Sequence, residues 1–260
     1  MSWLNPLAGF GVGILVGLTG VGGGSLMAPI MILLFGIAPA TAVGTDLWFA
    51  AITKSFGGIV HHRQGGVDGQ VLKRLCIGSL PAAIITLFIL WYHGSSPIKN
   101  GVILNTLGGV LILTAIATLF RHRFVEWSRG YQIDRGHQRH NWQARLTILA
   151  GGILGILVTL TSVGAGALGV TMILCLYPLR MNAKRLVATD IVHAVPLTIV
   201  GGIGNYFMGN VNWPLLASLL LGSIPGIIVG SLSTRWIPEA GLRVTLAVVL
   251  AIVGVKMMLV

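Results

Sequence analysis

Apolar residues run along this chain in long blocks, separated by short polar interruptions. The stretches Cys76–Trp91, Val102–Phe120 and Thr245–Val260 carry few charges or none, and about 20 mostly apolar residues in a helix span a bilayer. Ten such segments follow one another. In the first half they cover about 4–19, 24–37, 40–62, 70–92 and 98–120, and in the second about 145–161, 166–178, 184–207, 213–234 and 240–259. The opening pair of each half is short for a full span and interrupted by glycines. It predicts a helix–break–helix hairpin that only dips into the membrane.

The pattern also repeats. At an offset of 142, Gly9, Gly13, Ile14, Leu15, Val16, Leu18, Thr19, Val21, Gly22, Gly24 and Leu26 recur in Gly151–Leu168. After a two-residue insertion the offset becomes 144. Thr45-Asp46 then matches Thr189-Asp190, Gly57-Gly58-Ile59 matches Gly201-Gly202-Ile203, and Gly78-Ser79 with Pro81 matches Gly222-Ser223 with Pro225. The chain divides into a first repeat at 1–120, a polar loop at 121–144 and a second repeat at 145–260. The fold class expected is an all-α integral membrane protein of two inverted-topology repeats. Each repeat is a short broken helical hairpin followed by about three transmembrane helices.

Composition agrees with membrane residence. Hydrophobic residues make up 55% of the 260 residues and charged residues 9%, with a mean hydropathy of +0.89. A soluble domain carries about 25% charged residues, so this chain lacks the polar surface to face water. The net charge of +11 resembles a nucleic-acid signal until it is located. Six of the 17 basic residues fall between Arg121 and Arg145, where Lys and Arg beside spans set topology. No nucleic-acid partner is expected, and the partners expected are a small anionic substrate and the lipid bilayer, with a homo-oligomer left open. Placing the basic turns inside gives a consistent path: the loop 121–145 is cytoplasmic and both termini are periplasmic, in a bacterial-type inner membrane. Equivalent turns then fall on opposite sides, which makes the repeats inverted. The N-terminal Met1–Pro6 has no basic residue, unlike a signal peptide. Trp91-Tyr92 and Tyr206-Phe207 fit interfacial aromatic belts.

Transporters built on inverted repeats bind substrate near the midplane, at broken helices. Here the breaks are Leu18–Leu26 and Leu160–Leu168. Three consecutive glycines, Gly22, Gly23 and Gly24, would each weaken a helix interior by about 1 kcal/mol, and a break leaves main-chain N–H groups free to meet an anion. Thr19 and Ser25, with Thr161 and Ser162, add hydroxyls, and Gly164 and Gly166 form the weaker second copy. Close helix packing is the competing explanation for the glycines. Asp46 and Asp190 occupy matching places inside apolar segments, where acids are costly and point to function. Coupling to a proton or cation is one role for them, and capping the free N–H groups of the hairpin is another. Lys54, eight residues after Asp46 on a similar helix face, is expected to pair with it, and its repeat mate is Thr198. His193, mate of Phe49, joins the coupling or gating set. His61 and His62 are expected as solvated residues at a cytoplasmic helix end; His122, His137 and His140 show no metal spacing, and neither do Cys76 and Cys175. No cofactor is expected. With no Ser/His/Asp set and no ligand cluster in view, the chain does not read as an enzyme.

The Gly-Val-Gly-Gly-Gly-Ser-Leu break at 20–26, the Ala-Val-Gly-Thr opening at 42–45 and Arg63-Gln64-Gly65-Gly66-Val67-Asp68 ahead of Gly78-Ser79-Leu80-Pro81 together resemble the TauE/SafE family of sulfite exporter-like permeases. The resemblance covers both halves. It implies a multi-span inner-membrane permease for sulfite, thiosulfate, organosulfonates or related anions, working without ATP-hydrolysing domains. Family motifs fall on Gly22–Gly24, Gly44-Thr45 and the degenerate copy at Gly164–Gly166. Asp46, Asp190 and Lys54 place charges where relatives carry small polar residues. Two rivals stand beside this reading. One is a proton- or cation-coupled permease for a divalent metal or other small solute, using Asp46, Asp190 and His193. The other is a membrane scaffold whose basic loop docks a partner.

Overall fold

A computed structural model describes residues 4–19, 24–63, 66–93, 97–121, 123, 126, 140–233 and 239–259. They form ten helices: α1 (Leu4–Thr19), α2 (Gly24–Leu33), α3 (Pro39–Arg63), α4 (Gly69–Tyr92), α5 (Pro97–Leu119), α6 (His140–Thr161), α7 (Ala167–Leu176), α8 (Ala183–Phe207), α9 (Trp213–Ser233) and α10 (Glu239–Leu259). No strand occurs among the described residues. Residues 127–139 of the basic loop lie outside them, and so do Gly22 and Gly23.

The helix ends follow local chemistry. Asp68 caps α4, its carboxylate accepting from the amides of Gln70 and Val71. Asn182 caps α8 through the Arg185 amide at 2.8 Å, and Asn212 accepts from the Leu215 amide at 3.1 Å. The short helix α2 stops well before residue 37, the limit hydropathy sets. Gly36 turns the chain at φ +63, a conformation that costs only glycine nothing. At the other end of the chain, α6 starts about five residues before the apolar segment does. His140–Ala144 is polar but helical, and Gln143 anchors it by donating to the Leu176 carbonyl. Hydropathy marks where a helix enters lipid, not where it begins.

Five of these helices, α4, α5, α6, α8 and α9, are long and apolar enough to cross a membrane. Their faces are arranged inside out relative to a soluble protein. Helix α4 buries Val71, Leu75, Ser79, Ala83, Thr86 and Leu90, while Ile77, Ile84, Ile85, Phe88 and Ile89 are exposed. Water would not tolerate that apolar shell, and acyl chains would. The chain is a multi-pass membrane protein.

Packing between the halves is reciprocal. Helix α1 lies on α9, and its repeat mate α6 lies on α4, the mate of α9. The same atoms are used twice. A Cβ on Gly9 or Gly13 would strike the carbonyls of Leu219 or Ser223, and one on Gly151 or Gly155 would strike those of Leu75 or Ser79. Contact through glycine lets backbones approach closely, which is how helices associate where lipid offers no hydrophobic drive. Two helices meet their own mates, α3 with α8 and α5 with α10. Both pairs cross antiparallel. Gly44 lies against Asn205 and Gly202 against Trp48, while Gly108 lies against Met258 and Gly254 against Ile112.

Candidate functional site

Helices α3 and α8 bring the charged residues of the membrane interior together. Asp46, Lys54, Asp190 and His193 are all buried. Beside them the chain breaks between α6 and α7. Ser162 (φ 60), Gly164 (φ 115) and Gly166 (φ 146) take left-handed backbone in succession, and Thr161–Gly166 is buried throughout. The second hairpin break expected from the glycines is therefore a real one. Its first intact bond is from the Gly169 amide to the Gly164 carbonyl at 3.0 Å. The amides ahead of Gly169 in the first turn of α7 form no backbone bond among the described residues, as the geometry of a helix N-terminus requires.

Lys54 reaches this break and donates from Nζ to the Ala165 carbonyl. Its charge bears on both Asp190 and Asp46. The pairing expected with Asp46 is therefore shared with the matching acid on α8. Asp190 sits with Oδ1 pressed on Gly169 in the first turn of α7. Asp46 faces α2 and the break, where the Ala28 amide and the Ser162 hydroxyl bear on it. Neither Asp46 oxygen meets hydrogen-bond geometry with a partner, and the same holds for Asp190 Oδ1 and Ser162 Oγ. His193 Nε2 is 2.9 Å from Ser79 Oγ, and its Nδ1 has no partner.

The threonines of the Thr-Asp pairs bond to helix starts outside the hairpins. Thr189 Oγ1 accepts from the Asp68 amide at 3.0 Å, and Thr45 Oγ1 accepts from the Asn212 amide at 3.0 Å. These bonds are repeat mates, and each ties a central helix to the start of a helix in the other half. Thr161 is also occupied: its hydroxyl donates to the Leu157 carbonyl at 2.6 Å and accepts from the Val163 amide at 3.1 Å. It stitches the end of α6. In the first hairpin, Thr19 closes α1 and Gly24 and Ser25 open α2, while the side chains of Thr19 and Ser25 lie outside the described residues. Among the described residues, no group of three or more His, Cys, Asp or Glu could hold a metal ion.

One cluster went unread in the sequence. Buried Asp68 accepts from Arg180 Nε at 2.7 Å and Nη2 at 2.9 Å, with Arg185 at 3.7 Å. Nearby, Tyr177 Oη takes a bond from Arg74 Nη1 at 3.0 Å and meets Thr147 Oγ1 at 2.8 Å. At the C-terminal end of α8 an aromatic set gathers instead, with Trp213 at the start of α9 beside Trp48 of α3 at 5.6 Å and Tyr206 of α8 at 5.8 Å. Extending the repeat by one more position would have pointed to Asp68, because its mate Asn212 is also a helix cap. Asp68→Asn keeps a cap but loses the charge-assisted pair, whose arginine is 38% exposed. It is expected to lower stability by about 1–2 kcal/mol, read from thermal unfolding in detergent; no change would make the pair an idle surface bridge.

Comparison with known proteins agrees with this architecture. The family profile described as Sulfite exporter TauE/SafE matches residues 6–257. Bacillus subtilis (strain 168) has a relative named "Probable membrane transporter protein YjnA". It is 40% identical over 266 residues, covering 99% of this chain and all of the relative. A second, "Probable membrane transporter protein YdhB" of the same organism, is 27% identical over 96% of this chain and 97% of its own length. In Methanocaldococcus jannaschii, "Probable membrane transporter protein MJ0441" is 27% identical over 97% of this chain and 94% of its own. No solved structure matches the chain.

Proposed function

The chain belongs to the sulfite exporter TauE/SafE family of membrane transporters, and on that premise we propose that it is a secondary permease for a small sulfur-containing anion, such as sulfite, thiosulfate or an organosulfonate. The observation that carries the reading is the buried break at Ser162–Gly166. It offers unbonded first-turn amides of α7 and the Ser162 hydroxyl to an anion, with the Lys54 ammonium at the Ala165 carbonyl. The repeat extends the same binding role to the first hairpin, Thr19 to Ser25. Asp46, Lys54, Asp190 and His193 serve coupling or gating.

Opposite orientation of the halves is part of the reading. The antiparallel crossing of α3 with α8 and of α5 with α10 supports it, since mates related by an axis along the membrane normal would run parallel. The ionic end around Asp68 and Arg180 is assigned to the cytoplasm and the aromatic end around Trp213 to the periplasm. The basic loop 121–144 then lies inside and both termini outside, in the inner membrane.

Uptake by proteoliposomes tests the proposal, with radiolabelled sulfite, thiosulfate and an alkylsulfonate in one series and divalent metal ions in another. Saturable flux of an anion is expected. Flux of a metal in place of any anion would transfer the assignment to the rival reading. Gly166→Val forces a branched residue into φ 146, strained whatever space surrounds it, and displaces the α7 amides. Anion flux in that variant is expected to fall at least about tenfold, ~1.4 kcal/mol, with insertion and monodispersity kept. Full flux would remove the break from the binding site.

A further inference from the structure

We propose that transport is coupled to protons, and that the Asp46 carboxyl carries the coupled proton across the membrane. The inference rests on the anion reading above and names the ion that accompanies the substrate. Its basis is an imbalance between two carboxylates that the repeat makes equivalent and the structure does not.

Lys54 has no charged mate, since Thr198 stands in its place and spends its hydroxyl on the carbonyls of Ala194 and Val195. One ammonium therefore serves two buried carboxylates. It bears on both acids and is held in place by the Ala165 carbonyl. The geometric difference lies in the oxygens: at Asp190 the buried oxygen without a partner is Oδ1, whereas at Asp46 it is both. Both Asp46 oxygens are buried without a bonding partner, and Ser162 Oγ, which bears on Asp46, is equally unpartnered. Acceptors without a donor in a dry site are costly. A proton on Asp46 removes the charge from this dry site, and the Ser162 hydroxyl stays free to donate to a substrate oxygen.

The surrounding groups leave Asp46 as the exchangeable one. From its own helix it is faced by Lys54, and from α8 by Asp190 and His193, whose Nε2 is engaged with Ser79. Of the other helices packed on α3, α2 and α9 carry no titratable side chain, and those of α5 and α6 (Lys99, His140 and Arg145) stand near the N-terminal ends of their helices. Among those groups, an ionised Asp46 gives a net charge of −1 and a protonated one gives zero. An anion arriving at the α7 amides would meet net negative charge unless a proton came with it. Binding of the anion and of the proton therefore favour each other, and linkage makes that dependence reciprocal. On the open side the O–H bond breaks and the proton returns to water as the anion leaves.

The test uses purified full-length protein in liposomes clamped at zero potential, with a pH-sensitive dye inside. An alkylsulfonate is the substrate, a strong acid with no membrane-permeant neutral form. In wild type, an acidic exterior one pH unit below the lumen should drive about tenfold accumulation for one proton per anion, and each anion entering should acidify the lumen. In Asp46→Asn, the pH-driven accumulation and the acidification should vanish, while anion-for-anion exchange falls much less. Asp46→Glu should restore the acidification, which a merely structural role would not predict. Anion entry without acidification in wild type, or acidification that survives in Asp46→Asn, overturns the inference while leaving the permease reading intact. If no anion of the panel enters wild-type vesicles, the permease reading itself falls, and this inference with it.

Discussion

Gly13→Val and Gly155→Val are each expected to lower the unfolding temperature in detergent by about 10 °C, corresponding to roughly 3 kcal/mol, and to do so by similar amounts. The two residues are repeat mates. Each lies where two helices touch backbone to backbone, and an added Cβ would meet the carbonyl of Ser223 in one case and of Ser79 in the other. A main-chain oxygen within a helix cannot rotate away, so α1 must separate from α9, or α6 from α4, along the whole line of contact. Gly9 and Gly151 make the same kind of approach one turn away. The controls are Gly11→Ala and Gly109→Ala, where nothing lies within 4 Å of an added Cβ. Removing an unneeded helical glycine should stabilise by up to about 1 kcal/mol. Parity of the two valine variants is the sharper outcome. A large effect at Gly155 with none at Gly13 would mean that the two interfaces are not equivalent, and the reciprocal packing would fail as an account of the fold.

These glycines show how far the sequence could be read. Their recurrence at a constant offset was visible, and so were the helices, because apolar runs and glycine breaks are local signals. The identity of the facing helix was not. Nothing in Gly13 says that its contact is Ser223 rather than a residue of its own half. Duplication sharpened some guesses and misdirected others. It paired Asp46 with Asp190 correctly, but it drew attention to the acids and away from Thr45 and Thr189, which tie α3 and α8 to helix starts in the opposite half. Thr161, which borders the break, bonds its own backbone, a contact that its place in the pattern does not reveal. The bond between Asp68 and Arg180 joins residues 112 apart, a separation at which no periodicity or motif speaks. The second hairpin could be checked against geometry, whereas Gly22 and Gly23 of the first lie outside the described residues.

Lys54→Met is expected to destabilise the protein by about 3–5 kcal/mol, the range for removing one partner of a buried charge pair. Methionine fills much the same volume, so the loss is electrostatic rather than a cavity. Adding Asp190→Asn should recover most of that stability, because an ionised carboxylate near Lys54 then no longer needs a counter-charge. Adding Asp46→Asn should recover little. If Asp46 already carries a proton in the closed site, making it a permanent amide removes no charge. The two double-mutant cycles therefore separate carboxylates that the sequence treats as twins. Equal rescue by both substitutions would mean that Lys54 is shared evenly between ionised carboxylates, and Asp46 would lose its claim to the transported proton. Rescue by Asp190→Asn alone, with anion flux still absent, would fix Lys54 as the counter-ion that holds the site ready, since the fold would be restored and the charge facing the substrate would not.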